Sequence, residues 1–208
     1  MIKRKLKYKR VLGIGIALVL FLGGIGIVQK VLDDQTNQFE DESVVKVEEK
    51  KETEKKETIE TLKAPVKDGI GIVRYYYNKD DDSTKQEQSL ILFEGVYRPN
   101  QGIDYANKNE SFDVLAAISG TVSKKTNDPV LGWTVTITNN DNISTTYQSL
   151  SDVKVELNKT VKQGDVIGKS GENIYEADLK NHLHFILQKN DQMYNPEKYI
   201  GQPLNTIK

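Results

Sequence analysis

The stretch Trp133–Ser149, WTVTITNNDNISTTYQS, decides how this chain is read. Val135 and Ile137 alternate with threonines at the two-residue period of a half-buried strand, and Ser144–Ser149 continues the β-branched texture. Between them, Asn139–Asn140–Asp141–Asn142 is a run of residue types that accept tight-turn backbone conformations. The local reading is strand, turn, strand. Working outward, further strands are expected at Ile70–Tyr77, Gln88–Val96, Asp113–Ala117, Gly120–Lys124, Lys154–Val155, Val166–Lys169 and His182–Lys189. A second turn is expected at Lys162–Gln163–Gly164–Asp165. Such closely spaced short strands predict a mainly β domain, an antiparallel sheet or half-barrel rather than alternating βα units.

Toward the N-terminus the texture changes twice. Val11–Val28 (VLGIGIALVLFLGGIGIV) is an uncharged apolar run, and as a helix 18 residues long it would extend ~27 Å, close to the ~30 Å hydrocarbon core. No A-x-A cleavage pattern follows it, so an uncleaved anchor is expected. Residues 1–10 carry six positive charges and no negative one, which predicts a cytoplasmic N-terminus. In the acid-rich stretch 33–63, 17 of 31 residues are charged, too polar a composition to build a core. The expected organisation is a basic tail (1–10), a transmembrane helix (11–28), a charged stalk (29–63) and one extracytoplasmic domain (64–208).

Overall, 29 basic residues face 30 acidic ones, a formal charge of −1 that supplies no basic field for nucleic acid. The absence of cysteine excludes disulfides, thiolate metal sites and a thiol nucleophile. Imidazole chemistry is confined to His182 and His184, the only histidines. Two apart on a strand, they point to one face, with Leu183 opposed. They suit either a metal shared with a carboxylate from elsewhere or a hydrogen-bonded groove.

Three stretches in fixed order sharpen this. They are Asn100–Gln101–Gly102–Ile103–Asp104, then Tyr147–Gln148–Ser149–Leu150–Ser151, then Asn181–His182–Leu183–His184–Phe185. Ser119–Gly120–Thr121–Val122 and the hairpin Val161–Gly171 lie between them. Together they resemble the LytM or lysostaphin-type zinc peptidases, whose pattern is H-x-G-x-D, Y-x-H-L-S and H-x-H-F. The resemblance implies a LytM-type half-barrel, akin to duplicated hybrid motifs, with peptidoglycan cross-links as the family substrate. It also implies that Asp104 and His184 stand at zinc-ligand positions and His182 at a catalytic one. Two positions depart from the pattern: Asn100 replaces the first histidine ligand, and Ser149 replaces the second catalytic histidine. A catalytic zinc normally takes three protein ligands, and an amide oxygen is a poor donor to it. A non-enzyme is therefore expected, with no intact catalytic residue and vestigial positions at Asp104, His182 and His184. Asn100, Asp104, Tyr147, Ser149, His182 and His184 are the candidate groove residues. No cofactor is expected, zinc being the alternative.

Anchor, stalk and degenerate domain together are similar to a sporulation group within this family. That resemblance implies a tether in the forespore membrane that binds the ectodomain of stage III sporulation protein AH in the mother-cell membrane. Partner contacts are then expected near Arg74–Asp82 and Asp128–Trp133, with Trp133 in the core or the groove wall. The competing readings are a working zinc endopeptidase and a peptidoglycan-binding module that regulates other hydrolases.

Overall fold

In the computed structural model, which describes residues 59–208, the opening stretch folds into a hairpin. β7 (Gly132–Thr138) pairs antiparallel with β8 (Ile143–Val153), setting Val135 opposite Tyr147 and Ile137 opposite Thr145. Asn139 Oδ1 accepts the N–H groups of Asp141 (2.9 Å) and Ile143 (3.0 Å), and Asn142 takes a left-handed φ of 56°. One face buries Val135, Ile137, Ile143 and Tyr147. The other carries hydroxyl pairs, Thr136 with Thr146 and Thr138 with Ser144, each at 2.9 Å. The two-residue period therefore separates core from surface.

The hairpin sits inside a larger antiparallel sheet. The remaining strands of its main path are β1 (Gly71–Arg74), β4 (Ile103–Ala106), β6 (Gly120–Asp128), β9 (Thr160–Val161) and β11 (Leu183–Lys189). Their order is β1-β4-β11-β8-β7-β6-β9. β5 (Asp113–Leu115) and β10 (Val166–Ser170) form a side branch that joins β8, and β12 (Gln192–Tyr194) folds back on β11. A separate hairpin joins β2 (Leu90–Phe93) and β3 (Val96–Pro99). Before it comes the short helix α1 (Ser83–Gln88), N-capped by Asp82, whose Oδ1 accepts the Lys85 N–H at 3.0 Å.

Tyr147 and Phe185 anchor the core, their ring centroids 5.5 Å apart, among Ile103, Val114, Ile118, Ile167, Leu183 and Leu187. Each such side chain contributes ~1.5–3 kcal/mol on burial.

Several sequence expectations need correction. The stalk was expected to run to Lys63, but Glu60–Lys63 belong to the domain. Leu62 is buried and bridges to Ile200, while Thr61 bridges to Pro203. The Glu60 carboxylate accepts the Ser119 N–H at 2.8 Å and its hydroxyl at 2.7 Å. One leucine with a waiting pocket outweighs its polar flanks. The expected strand Gln88–Val96 is instead broken by a turn at Glu94 and Gly95, both at positive φ, so that two strands form. Lys154–Val155 lies beyond the end of β8, outside any strand. β4, β9, β12 and α1 have too few residues for a visible period and were not anticipated. The tail 1–10, the span 11–28 and the stalk up to residue 58 lie outside the described residues. Among the described residues no helix is long and apolar enough to cross a membrane.

Candidate functional site

Four neighbouring strands lay the site out in one row. Arg74 on β1 stands opposite Asp104 on β4, Asp104 opposite His184 on β11, and His184 opposite Gln148 on β8. Residues directly opposite one another in a ladder share a face. Asp104, His184 and Arg74 are all buried. His184 Nδ1 lies 2.7 Å from Asp104 Oδ1, and since a carboxylate accepts, the imidazole N–H donates.

Asn100 sits just before this row, also buried. Its Nδ2 donates to Asp104 Oδ2 at 3.0 Å, and its Oδ1 accepts the Gly102 N–H at 3.1 Å. An acceptor at one end and a donor at the other fix which way the amide points. Its oxygen faces backbone, away from any shared ligand position. Gly102 is required by close approach: a Cβ there would lie 2.5 Å from the Phe185 carbonyl oxygen and 3.0 Å from His184 Nε2.

His182 and Ser149 meet as the motif order implied, both fully buried. His182 Nδ1 is 2.8 Å from the Lys180 carbonyl, which can only accept, so that nitrogen carries hydrogen. Ser149 lies 3.5 Å from the same nitrogen, and its hydroxyl donates to the Gly171 carbonyl at 3.3 Å. Its φ of 65° is unusual for a non-glycine residue. Tyr147 does not join the groove. Its ring packs at a tilt against Phe185 in the core, and its hydroxyl accepts the Ala117 N–H at 2.7 Å. Burial raises the pKa of this phenol. Trp133 is half-buried against the core, in keeping with a wall position.

Two site residues were missed by sequence reasoning. Glu176 enters from the β10–β11 connection, turned inward where its N–H donates to Asn173 Oδ1 at 2.6 Å. Its Oε1 accepts from Arg74 Nη1 at 3.1 Å. Its buried Oε2 lies 3.4 Å from His182 Nε2 and 3.5 Å from His184 Nδ1, with no aligned hydrogen bond to either. Nothing in the sequence placed Glu176 there beyond the expectation that a metal held by the histidines would need a carboxylate from elsewhere. Arg74 was expected at a partner surface, yet it is buried, a charged residue ending the apolar run Ile70–Val73.

The charges are mutually dependent. Burial opposes a charge on His184, but the Asp104 and Glu176 carboxylates outweigh it and lift the imidazole to about 9. Burial, together with repulsion from Glu176, raises Asp104, so the Asp104–His184 pair holds one shared proton tightly. Burial also works against ionised Glu176, but His184, His182 and Arg74 bring it down to about 2. His182 is raised, the Glu176 contact overcoming the penalty of burial.

The LytM resemblance implies zinc. Asp104, Glu176 and His184 bring one donor atom each within 4.8 Å of one another, a spacing that a divalent ion could bridge. The surroundings do not fit it. The Asn100 amide is committed at both ends, Asp104 is occupied by Asn100 and His184, and Glu176 already carries a guanidinium. Beside His182 stands the Ser149 hydroxyl, 3.5 Å from its Nδ1.

Comparison with known proteins agrees with this geometry. Residues 98–196 match the model of Peptidase family M23. Over 153 residues, 72% of the chain, the sequence is 40% identical to stage II sporulation protein Q of Bacillus subtilis (strain 168). The chain spans 54% of the length of that relative. A chain in the solved SpoIIQ–SpoIIIAH pore-forming complex is also 40% identical, with a TM-score of 0.70, covering 72% of this chain and 97% of that one. A zinc-containing peptidase from Vibrio cholerae aligns at 21% identity with a TM-score of 0.53, over 65% of this chain and 39% of the other, which speaks to fold alone. The match to Peptidase family M23 and the extent of the 40% identity lead to one placement. The chain belongs to the stage II sporulation protein Q family, a branch of the M23 peptidase fold.

Proposed function

We propose that this chain is a membrane-anchored, non-catalytic docking protein of the sporulating cell, binding the SpoIIIAH ectodomain across an intermembrane space. One observation carries the reading: the M23 site is closed upon itself, with Asn100 bonded at both ends and Ser149 in place of an imidazole. A domain that keeps the fold but not the chemistry is left with its surfaces. The relative of known structure was solved in complex with SpoIIIAH, and its identity to this chain extends across the domain. The apolar run 11–28 serves as the anchor, the basic residues 1–10 keep the N-terminus in the cytoplasm, and the acid-rich stretch holds the domain off the bilayer. In this reading the membrane is that of the forespore.

Strand addition is one docking mode the sheet permits. Among the described strands, β7 alone pairs with Lys124–Asp128 of β6, since β9 reaches only Gly120 and Thr121.

Titration calorimetry of the purified chain against the SpoIIIAH ectodomain, beside muropeptide digestion followed by mass spectrometry, tests this. Saturable 1:1 heat with intact muropeptides is expected. Cleavage of cross-links without partner binding sinks the proposal. Topology is testable separately because the chain has no cysteine. A Gln35→Cys variant should react with a membrane-impermeant maleimide on intact membranes, and a Tyr8→Cys variant should not.

A further inference from the structure

The β1–β4 ladder contains a bulge whose consequence falls on the site. Gly71 faces Ala106 and Ile72 faces Tyr105, but the next pair joins Arg74 with Asp104, so Val73 is the extra residue. Val73 is exposed at 47%, whereas Arg74 is 6% exposed. In unbroken register Val73 would stand opposite Asp104. Bulges re-aim side chains, and this one delivers a guanidinium to the row of vestigial ligands. There Arg74 bonds Glu176 Oε1 at 3.1 Å and pairs through Nη2 with Asp178 at the rim. The far oxygen of the same Glu176 carboxylate faces His182 and His184. A buried guanidinium is costly unless paired, as are two buried carboxylates, so each requires the other.

We propose that Arg74 is the internal cation of this site: steered inward by the bulge, it occupies the electrostatic place of a metal and keeps the site metal-free. Two buried carboxylates, Asp104 and Glu176, face one fixed positive charge. A dication entering beside Arg74 would bring excess positive charge into a water-poor pocket. Without Arg74, two carboxylates and the His184 imidazole, once a bound ion has displaced its proton, match the charge of a dication and offer it three donors within 4.8 Å. Arg74 is therefore a positioning and charge-balancing residue, and its loss should convert a closed cluster into a metal site. The inference rests on the non-catalytic reading of the site and is read by metal binding, so its failure leaves SpoIIIAH binding untouched. Failure of partner binding in turn leaves this inference untouched.

The test is Co(II) titration of the purified full chain, followed by visible absorption and equilibrium dialysis, for wild type, Arg74→Lys, Arg74→Gln and Arg74→Gln/Asp104→Ala. The last variant reports background binding by the acid-rich stretch. Wild type and Arg74→Lys should stay at that background. Arg74→Gln, which keeps donors toward Glu176 without the charge, should bind about one Co(II) with tetrahedral-type absorption and at least ~100-fold higher affinity, as removal of one like charge a few ångströms away implies. A tight stoichiometric site in wild type overturns the proposal. So does a natively folded Arg74→Gln protein whose affinity equals that of wild type. If Arg74→Gln does not fold alone, zinc in the refolding buffer should restore its circular dichroism, and failure of that rescue equally overturns the proposal.

Discussion

Asn100 and Asp104, four residues apart across a tight connection, are joined by a 3.0 Å hydrogen bond in which the amide donates and the carboxylate accepts. A metal-ligating residue would need to aim a lone pair outward at this position. Asn100 directs an N–H to its neighbour instead, and its oxygen satisfies the Gly102 backbone at 3.1 Å. It is an organiser of the connection into β4.

Asn100→Ala should therefore destabilise the domain by about 1–3 kcal/mol, because it leaves the buried Asp104 Oδ2 and the Gly102 N–H without partners. Urea unfolding followed by tryptophan fluorescence, with Trp133 as the only reporter, measures it. A loss below about 0.5 kcal/mol would argue that solvent replaces the amide.

Gly102→Ala should cost about 1–3 kcal/mol through overpacking, because its Cβ would meet the Phe185 carbonyl at 2.5 Å and that strand cannot shift without moving His184. Chemical-shift changes at His184 and Phe185 should accompany the loss. Unchanged spectra and stability would mean that the strands separate more easily than their register suggests.

Placing histidines at Asn100 and Ser149 should not confer hydrolysis. In Asn100→His/Ser149→His, the second imidazole must enter a fully buried position at φ 65°, while Arg74 still holds Glu176. Destabilisation of about 1–3 kcal/mol and intact muropeptides are expected. For wild type, zinc at 100 times a genuine dissociation constant would add ~2.7 kcal/mol of stability. Thermal unfolding should instead be unchanged by micromolar zinc or by EDTA. Muropeptide cleavage by the double variant, or an EDTA-sensitive melting temperature in wild type, would contradict this account.

Asp128 supplies a pH dependence away from the site. Its Oδ1 accepts the N–H groups of Leu131 (2.9 Å) and Val130 (2.8 Å), which hold its carboxyl below the usual range. A depressed folded-state pKa means the contribution is complete above the unfolded value of about 3.9 and is lost as pH falls through the folded one. Carboxyl NMR titration should show Asp128 titrating below 3.9, and Asp128→Ala should flatten the acid limb of the stability curve. A midpoint at or above 3.9 would remove the turn from the list of acid-sensitive elements.

Sequence period carried the β class and the central strands, because alternation such as that of Val135 and Ile137 reports a surface that one side of a sheet must bury. It carried the turn at Asn139–Asn142 for a similar reason, since side-chain chemistry there acts on its own backbone. His182 and His184 were legible as a pair, and the motif order brought Asn100, Asp104 and Ser149 to them. Tyr147 was misplaced by the same reasoning, because adjacency in a motif does not say which face of β8 a side chain takes.

By itself, then, the sequence determined the β character, the single imidazole cluster and the presence of Asn100 and Ser149 beside it. Tertiary structure alone decided what fills the space they left. Arg74 lies 102 positions from Glu176, and their contact depends on a one-residue bulge in β1 and an inward turn before β11. Neither device leaves a periodic trace, because each is a local exception to the ladder whose cost is offset only by a partner distant in sequence.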